Sequence, residues 1–245
     1  MKYQIIKDLK KAIVLLIFVS FVVSCSMDEI YSCDREINMW VKSNLTEIKQ
    51  MSSEDFLAIG DLAYQKAAYA AMEKEQRHKL WMDKLNDVLQ MGWEQKEVEH
   101  IDSLISFIGR NESLFTNSQT QEKRDLFELF MYLWVEYAEE VLCWDRETIF
   151  SICGVPNKVV RIETQNGNTK LTVSNVSELK SAMQSPTIKS RGECACASTS
   201  DWCDIFGEIP VVSCNSFNYS CENTQDGCGL FWRFPCDGIC KASIA

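Results

Sequence analysis

From Asp34 to about Cys153, apolar residues recur three and four positions apart, and no proline interrupts the chain before Pro156. That spacing follows the 3.6-residue turn of an α-helix and predicts several amphipathic helices. Ser52 with Asp55 has the form of a capping box and opens a segment with Phe56, Ile59, Leu62, Ala63 and Ala67 on one face. A second stripe of Leu80, Trp81, Leu85, Val88 and Leu89 stops near Gly92. A third joins Val98, Ile101, Leu104, Ile105 and Ile108, with Gly109 where a C-terminal cap would sit. The strongest runs from about Gln119 to Cys143. Its wide face of Leu126, Phe127, Phe130, Leu133, Trp134, Tyr137, Val141 and Leu142 is expected to be buried against the other helices, giving a bundle of four or five.

Beyond Lys158 the period shortens. Val159, Val160 and Ile162, then Asn166-Gly167, then Leu171 and Val173 predict a β-hairpin. Ser177 to Met183 is compatible with a short helix, and the stretch from Ser185 to Gly192 reads as an exposed linker. The fold class expected is mainly α: a helical bundle over 25–157, a hairpin and linker over 158–192, and a small disulfide-rich, irregular or β module over 193–245.

That last module is set apart by chemistry. Cys194, Cys196, Cys203, Cys214, Cys221, Cys228, Cys236 and Cys240 fall in under fifty residues, far above the density at which a disulfide scaffold is expected. A segment this short buries too little apolar surface to offset its conformational entropy, whereas each crosslink contributes roughly 2–4 kcal/mol by restricting the unfolded chain. Zinc is the rival reading, disfavoured because the segment has no His and no Cys-x-x-Cys pair. Cys194 and Cys196 are too close in sequence to pair with each other, and the rest of the connectivity is open. Cys143 and Cys153, ten residues apart, are candidates for a further bridge between the long helix and the next, which leaves Cys33 over.

The first residues carry a different signal. Lys2, Lys7, Lys10 and Lys11 precede an apolar run from Ala12 to Val23, too short for a comfortable membrane span and of the right length for a removable export signal over 1–24. Val22-Val23-Ser24-Cys25 resembles the lipobox of bacterial lipoproteins, which implies that Cys25 becomes the lipid-bearing first residue. Ser26-Met27-Asp28-Glu29 is similar to the surface-export signal of Bacteroidota lipoproteins. The implied location is the outer membrane or cell surface, with the lipid as the membrane contact.

The chain is 46% hydrophobic and 24% charged, with a net charge of −10. Loss of the leader's four lysines and Asp8 makes that about −13, a balance that repels nucleic acid and anionic lipid alike. Trp40, Trp81, Trp93, Trp134 and Trp144 are expected in the core rather than in a ligand cage, and His78 and His100, too far apart to form a helical metal pair, on the surface. The Glu and Lys residues of 73–79 and 94–99 belong to solvated faces. No nucleophile elbow, phosphate loop, carboxylate motif or Cys-x-x-Cys redox pair is present, so neither enzymatic activity nor a cofactor or metal site is expected.

Cys194-Ala-Cys196-Ala-Ser-Thr-Ser-Asp201-Trp202-Cys203, Thr224-Gln-Asp-Gly227-Cys228-Gly229-Leu-Phe-Trp232 and Cys236-Asp-Gly238-Ile-Cys240 resemble the fulvocin C-related bacteriocins over the last fifty residues. The apolar insert from Asp204 to Val212 departs from that pattern. The resemblance implies an exported precursor whose Cys-rich tail is antibacterial and released by a processing protease, with Lys189 and Arg191 as the cleavage candidates. The tail carries seven acids against Arg233 and Lys241, which disfavours cationic membrane disruption and points to a protein receptor on a target cell. Its rings, Trp202, Phe206, Phe217, Tyr219, Phe231, Trp232 and Phe234, are divided evenly between a substitute core and an exposed contact surface. Without cleavage, the tail is better read as an adhesion or recognition module at the cell surface.

Overall fold

The computed structural model describes residues 29–32, 34–116, 120–163, 169–175, 196–206, 212–216 and 226–242. The leader, Cys25, Cys33, the Asn166-Gly167 turn, the 177–183 segment, the linker with Lys189 and Arg191, Cys194 and Cys221 lie outside the described residues. The chain divides into two units, Met1–Ile30 and Tyr31–Ala245, and the second carries all the elements below.

Eight α-helices are formed by the described residues: α1 Arg35–Ser43, α2 Leu45–Ile48, α3 Ser53–Leu57, α4 Leu62–Ala71, α5 Lys74–Leu89, α6 Gln95–Arg110, α7 Gln121–Glu140 and α8 Arg146–Cys153. Their starts are written locally. Asp34, Asp61 and Asp145 each accept backbone N–H groups of a first helical turn, and Thr120 does the same for Lys123. Ser52 and Asp55 form the expected capping box. The segment it opens is two helices rather than one. α3 ends at Leu57, and Asp61, one residue after Gly60, caps a new helix in an extended conformation, so the apolar stripe from Phe56 to Ala67 is divided by a corner. Gly109 lies inside α6, which ends on Asn111.

Strands β1 Val159–Glu163 and β2 Thr169–Val173 pair antiparallel, Val159 opposite Val173 and Glu163 opposite Thr169, as the hairpin reading predicts. Leu171 and Val173 are buried, and Lys170 and Thr172 tie the hairpin to Glu147 of α8. In the Cys-rich segment, β3 Val212–Ser216 pairs antiparallel with β4 Gly238–Ala242. Short 3-10 turns occupy Cys203–Phe206 and Leu230–Trp232. The structure is thus mainly helical, with small two-stranded sheets and disulfides in the C-terminal region.

The core is where the sequence reading and the structure part. Trp81, Trp134 and Trp144 are buried, and Trp40 and Trp93 pack against the core as expected. His100, read as a surface residue, is buried: its ring lies 4.5 Å from Trp134 and 4.9 Å from Tyr137, and its Nε2 bonds the Trp134 carbonyl. Burial pushes its pKa down to about 4, so the imidazole is neutral there. The wide face expected of α7 is buried only along Phe127, Met131, Trp134 and Ala138. Leu126, Leu133, Tyr137 and Val141, together with Leu129, remain 42–59% exposed, because the helices that would cover them pack against one flank of α7 only.

The larger departure concerns the Cys-rich segment. Trp202, Leu230, Phe231 and Trp232 belong to the same buried cluster as the bundle's Trp81, Phe127 and Ile149. The boundary expected near residue 192 separates two chemistries, but the described residues on either side of it share one hydrophobic core. A segment with few aliphatic residues of its own reaches low energy by placing its rings where the helices supply a lining.

Candidate functional site

The junction is organised by a loop held at its base. The Cys228–Cys236 disulfide closes Gly229 to Pro235 into a short ring, and the backbone N–H and C=O of Cys228 bond those of Phe234 across it. At its tip Phe231 and Trp232 both adopt left-handed conformations, with φ of +55° and +53°. Such angles are costly for aromatic residues and persist only where surrounding structure enforces them. Here burial enforces them: Phe231 and Trp232 are 0% and 1% exposed. Phe231 packs 4.7 Å from Trp81 of α5, and Trp232 packs 5.3 Å from Tyr69 of α4 and 6.3 Å from Phe56 of α3. Gly229, at φ +66°, leaves no room for a side chain, since an added Cβ would lie 2.6 Å from the Phe234 ring.

Polar groups lock the plug. The Tyr69 hydroxyl donates to the Phe231 carbonyl at 3.2 Å and accepts from the Trp81 indole N–H at 3.1 Å, and burial raises the Tyr69 pKa so that it stays protonated. Arg77, 2% exposed, donates to the Tyr69 and Ala70 carbonyls that end α4 and to Asp226 Oδ2 at 2.9 Å. Asp226 is itself nearly buried, and desolvation raises its pKa against the pull of Arg77. Arg77 lies among the Glu and Lys residues of 73–79 expected on a solvated face, and nothing local distinguishes it from them. The only sequence signal was the Gly227-Cys228-Gly229-Leu230-Phe231-Trp232 string, in which two glycines bracket a cysteine before two large rings.

Beside the plug lies a groove of about 1180 Å³ between α7 and the Cys-rich segment. Phe127, Met131 and Leu230 line it with apolar surface, α7 supplies Arg124, Glu128, Tyr132 and Glu136, and Trp202, Phe234 and Pro235 come from the Cys-rich side. One end is a latch: the Arg146 guanidinium lies 4.4 Å from the Trp202 ring centre, its Nε is 2.9 Å from Asp204 Oδ2, and its Nη1 is 3.4 Å from Glu139. The other end holds Arg233, Asp226 and Thr116.

Of the cysteines singled out in the sequence, Cys196 pairs with Cys214, Cys203 with Cys240 and Cys228 with Cys236. The Cys143–Cys153 bridge does not form. Cys143 is exposed in the left-handed turn that ends α7, whereas Cys153 is buried and directs its thiol to the Ile149 carbonyl inside α8. The sulfurs of Cys196, Cys203 and Cys240 lie within 4.8 Å of one another. All three are taken up in disulfides, which leaves no thiolate to ligate a metal. Among the described residues, no helix is long and apolar enough to cross a membrane. Comparison with family models, with curated proteins and with solved structures finds no match to this chain.

Proposed function

We propose that this chain is an exported lipoprotein of the cell surface, anchored through Cys25, whose groove between α7 and the Cys-rich segment recognises an extracellular ligand. One observation carries the reading: Phe231 and Trp232 complete the helical core, so the Cys-rich segment works as one wall of a single binding body. Pulling it away would expose both rings and the pocket of Tyr69, Trp81 and Phe127 that receives them. Concave sites with apolar walls and a few convergent charges are the usual form of a recognition site. The reading asks no chemistry of the groove and needs no cofactor.

A second reading is favoured by the disulfides. Each described bond joins two cysteines of the tail, so cleavage at Lys189 or Arg191 would leave these three crosslinks intact, as an antibacterial peptide acting on a receptor-bearing cell requires. One experiment separates the two. A specific protease site placed after Arg191 in the mature protein is cut without reductant, and the products are sized and assayed. Retention of the tail on the bundle, with antibody labelling of intact producing cells, supports recognition. Spontaneous dissociation into a fragment that inhibits growth of related bacteria would replace it with the bacteriocin reading.

A further inference from the structure

Arg233 is an unusual cation. Its guanidinium sits 5.2 Å from the centre of the Phe127 ring and 6.0 Å from that of Phe115, and its Nε is buried without a hydrogen-bond partner. Asp226, the acidic group that acts on it most strongly, is committed to Arg77. No carboxylate among the described residues forms an ion pair with Arg233. The stacked rings offset part of the cost of burying this charge, but a desolvated guanidinium is stable mainly when an anion receives its planar fork of donors. Burial depresses its pKa, and the nearby positive charges of Arg77 and Arg124 act in the same direction. The surplus of positive charge at this end of the groove stands out in a chain of net charge −10.

The rest of the α7 wall has the opposite sign. Glu128, Glu136 and Glu140 line the groove and form no ion pair among the described residues. From Arg124 to Glu140 the helix rises about 24 Å, the span of roughly seven residues of extended chain. A ligand that matches this polarity is extended, carries a carboxylate at one end and bears cationic groups toward the other.

Resting on the recognition reading above, we propose that the groove binds extended peptides by their C-terminal carboxylate, held by Arg233 with Arg124 beside it, while basic residues nearer the peptide's N-terminus face Glu128, Glu136 and Glu140. The apolar floor at Phe127, Leu230 and Phe234 would take a large side chain near the peptide's end.

The test uses the intact, oxidised mature protein and two pools of random heptapeptides, one ending in a free carboxylate and one amidated, with bound peptides read by mass spectrometry. Enrichment of the free-acid pool by about tenfold over the amidated pool, biased to basic residues early and apolar residues late, is expected for a charge-assisted contact. Arg124→Gln, an exposed change, should weaken recovery about threefold, and Arg233→Lys, which keeps the charge and loses the fork, about tenfold at unchanged Tm. Competition by millimolar acetate but not by the neutral acetamide would identify the carboxylate as the recognised group. Equal enrichment of both pools, enrichment of neither, or indifference to both substitutions would overturn the proposal. Those outcomes leave the retention and cell-labelling results untouched, so this site can fail while the surface-recognition reading stands.

Discussion

The helical region and the Cys-rich segment solve the same problem by different means. In the bundle, order comes from stripes of side chains that exclude water together, and every helix but the short α2 is started by a side-chain cap or capping box a few residues away. In the Cys-rich segment, order comes from covalent closure, with disulfides spanning 18, 37 and 8 residues and two short strands. The difference teaches that crosslinks specify a backbone path without supplying a core. The segment therefore borrows one, inserting the Leu230-Phe231-Trp232 tip among α3, α4, α5 and α7.

That dependence can be broken in order of severity. Trp232→Ala removes a ring that is 1% exposed and should cost about 4 kcal/mol through lost burial and an unfilled cavity. Urea unfolding followed by far-UV circular dichroism should show the whole helical transition moving to lower urea. An unshifted transition would mean the bundle folds without the plug. Asp226→Asn leaves Arg77 buried beside a neutral partner and should cost about 3 kcal/mol by the same measurement. The Cys228→Ser, Cys236→Ser double variant opens an eight-residue loop, for which the chain-entropy estimate is about 2.5 kcal/mol. Its loss should be smaller than that of Trp232→Ala, since the rings can still dock, and the reverse ranking would make the staple rather than the plug the main contributor.

The pH response sharpens the comparison from the bundle's side. His100 stays neutral in the folded state down to about pH 4, while an unfolded imidazole takes a proton near 6.5. The unfolded chain therefore binds more protons between those values, and stability falls as pH drops from about 6.5 to 4. His100→Gln should flatten that slope in thermal melts without altering the tail's disulfides. The smallest effect belongs to α7's uncovered flank: Leu133→Ser, at a position 53% exposed, should change stability by less than about 0.5 kcal/mol. A larger loss would show that this flank is buried in solution.

How far the sequence was legible depended on the range of the interaction. The helix start at Ser52, the 159–173 hairpin and the oxidised state of six tail cysteines followed from residues a few positions apart or from composition. The groove and the plug did not. Arg77 and Asp226 are 149 residues apart, and no periodicity connects them. The same limit explains the exposed flank of α7: a stripe that includes Leu126, Leu133, Tyr137 and Val141 shows that a face is apolar, not which part of it a neighbour covers. His100 reads as a surface residue for the same reason, since only the stacking of Trp134 and Tyr137 from a helix some thirty residues away makes its site dry.

The amino-acid sequence by itself determined the helical character of residues 34–153, the hairpin after them and the need for crosslinks in the acidic C-terminal segment, because capping, period and cysteine density act over short range. Only the tertiary structure decided that the C-terminal rings belong to the bundle's core, that Arg233 has no ion-paired carboxylate among the described residues, and that the two regions enclose a groove between them. Those outcomes follow from which surfaces meet when distant parts of the chain compete to leave water, and that choice is settled by the fold as a whole.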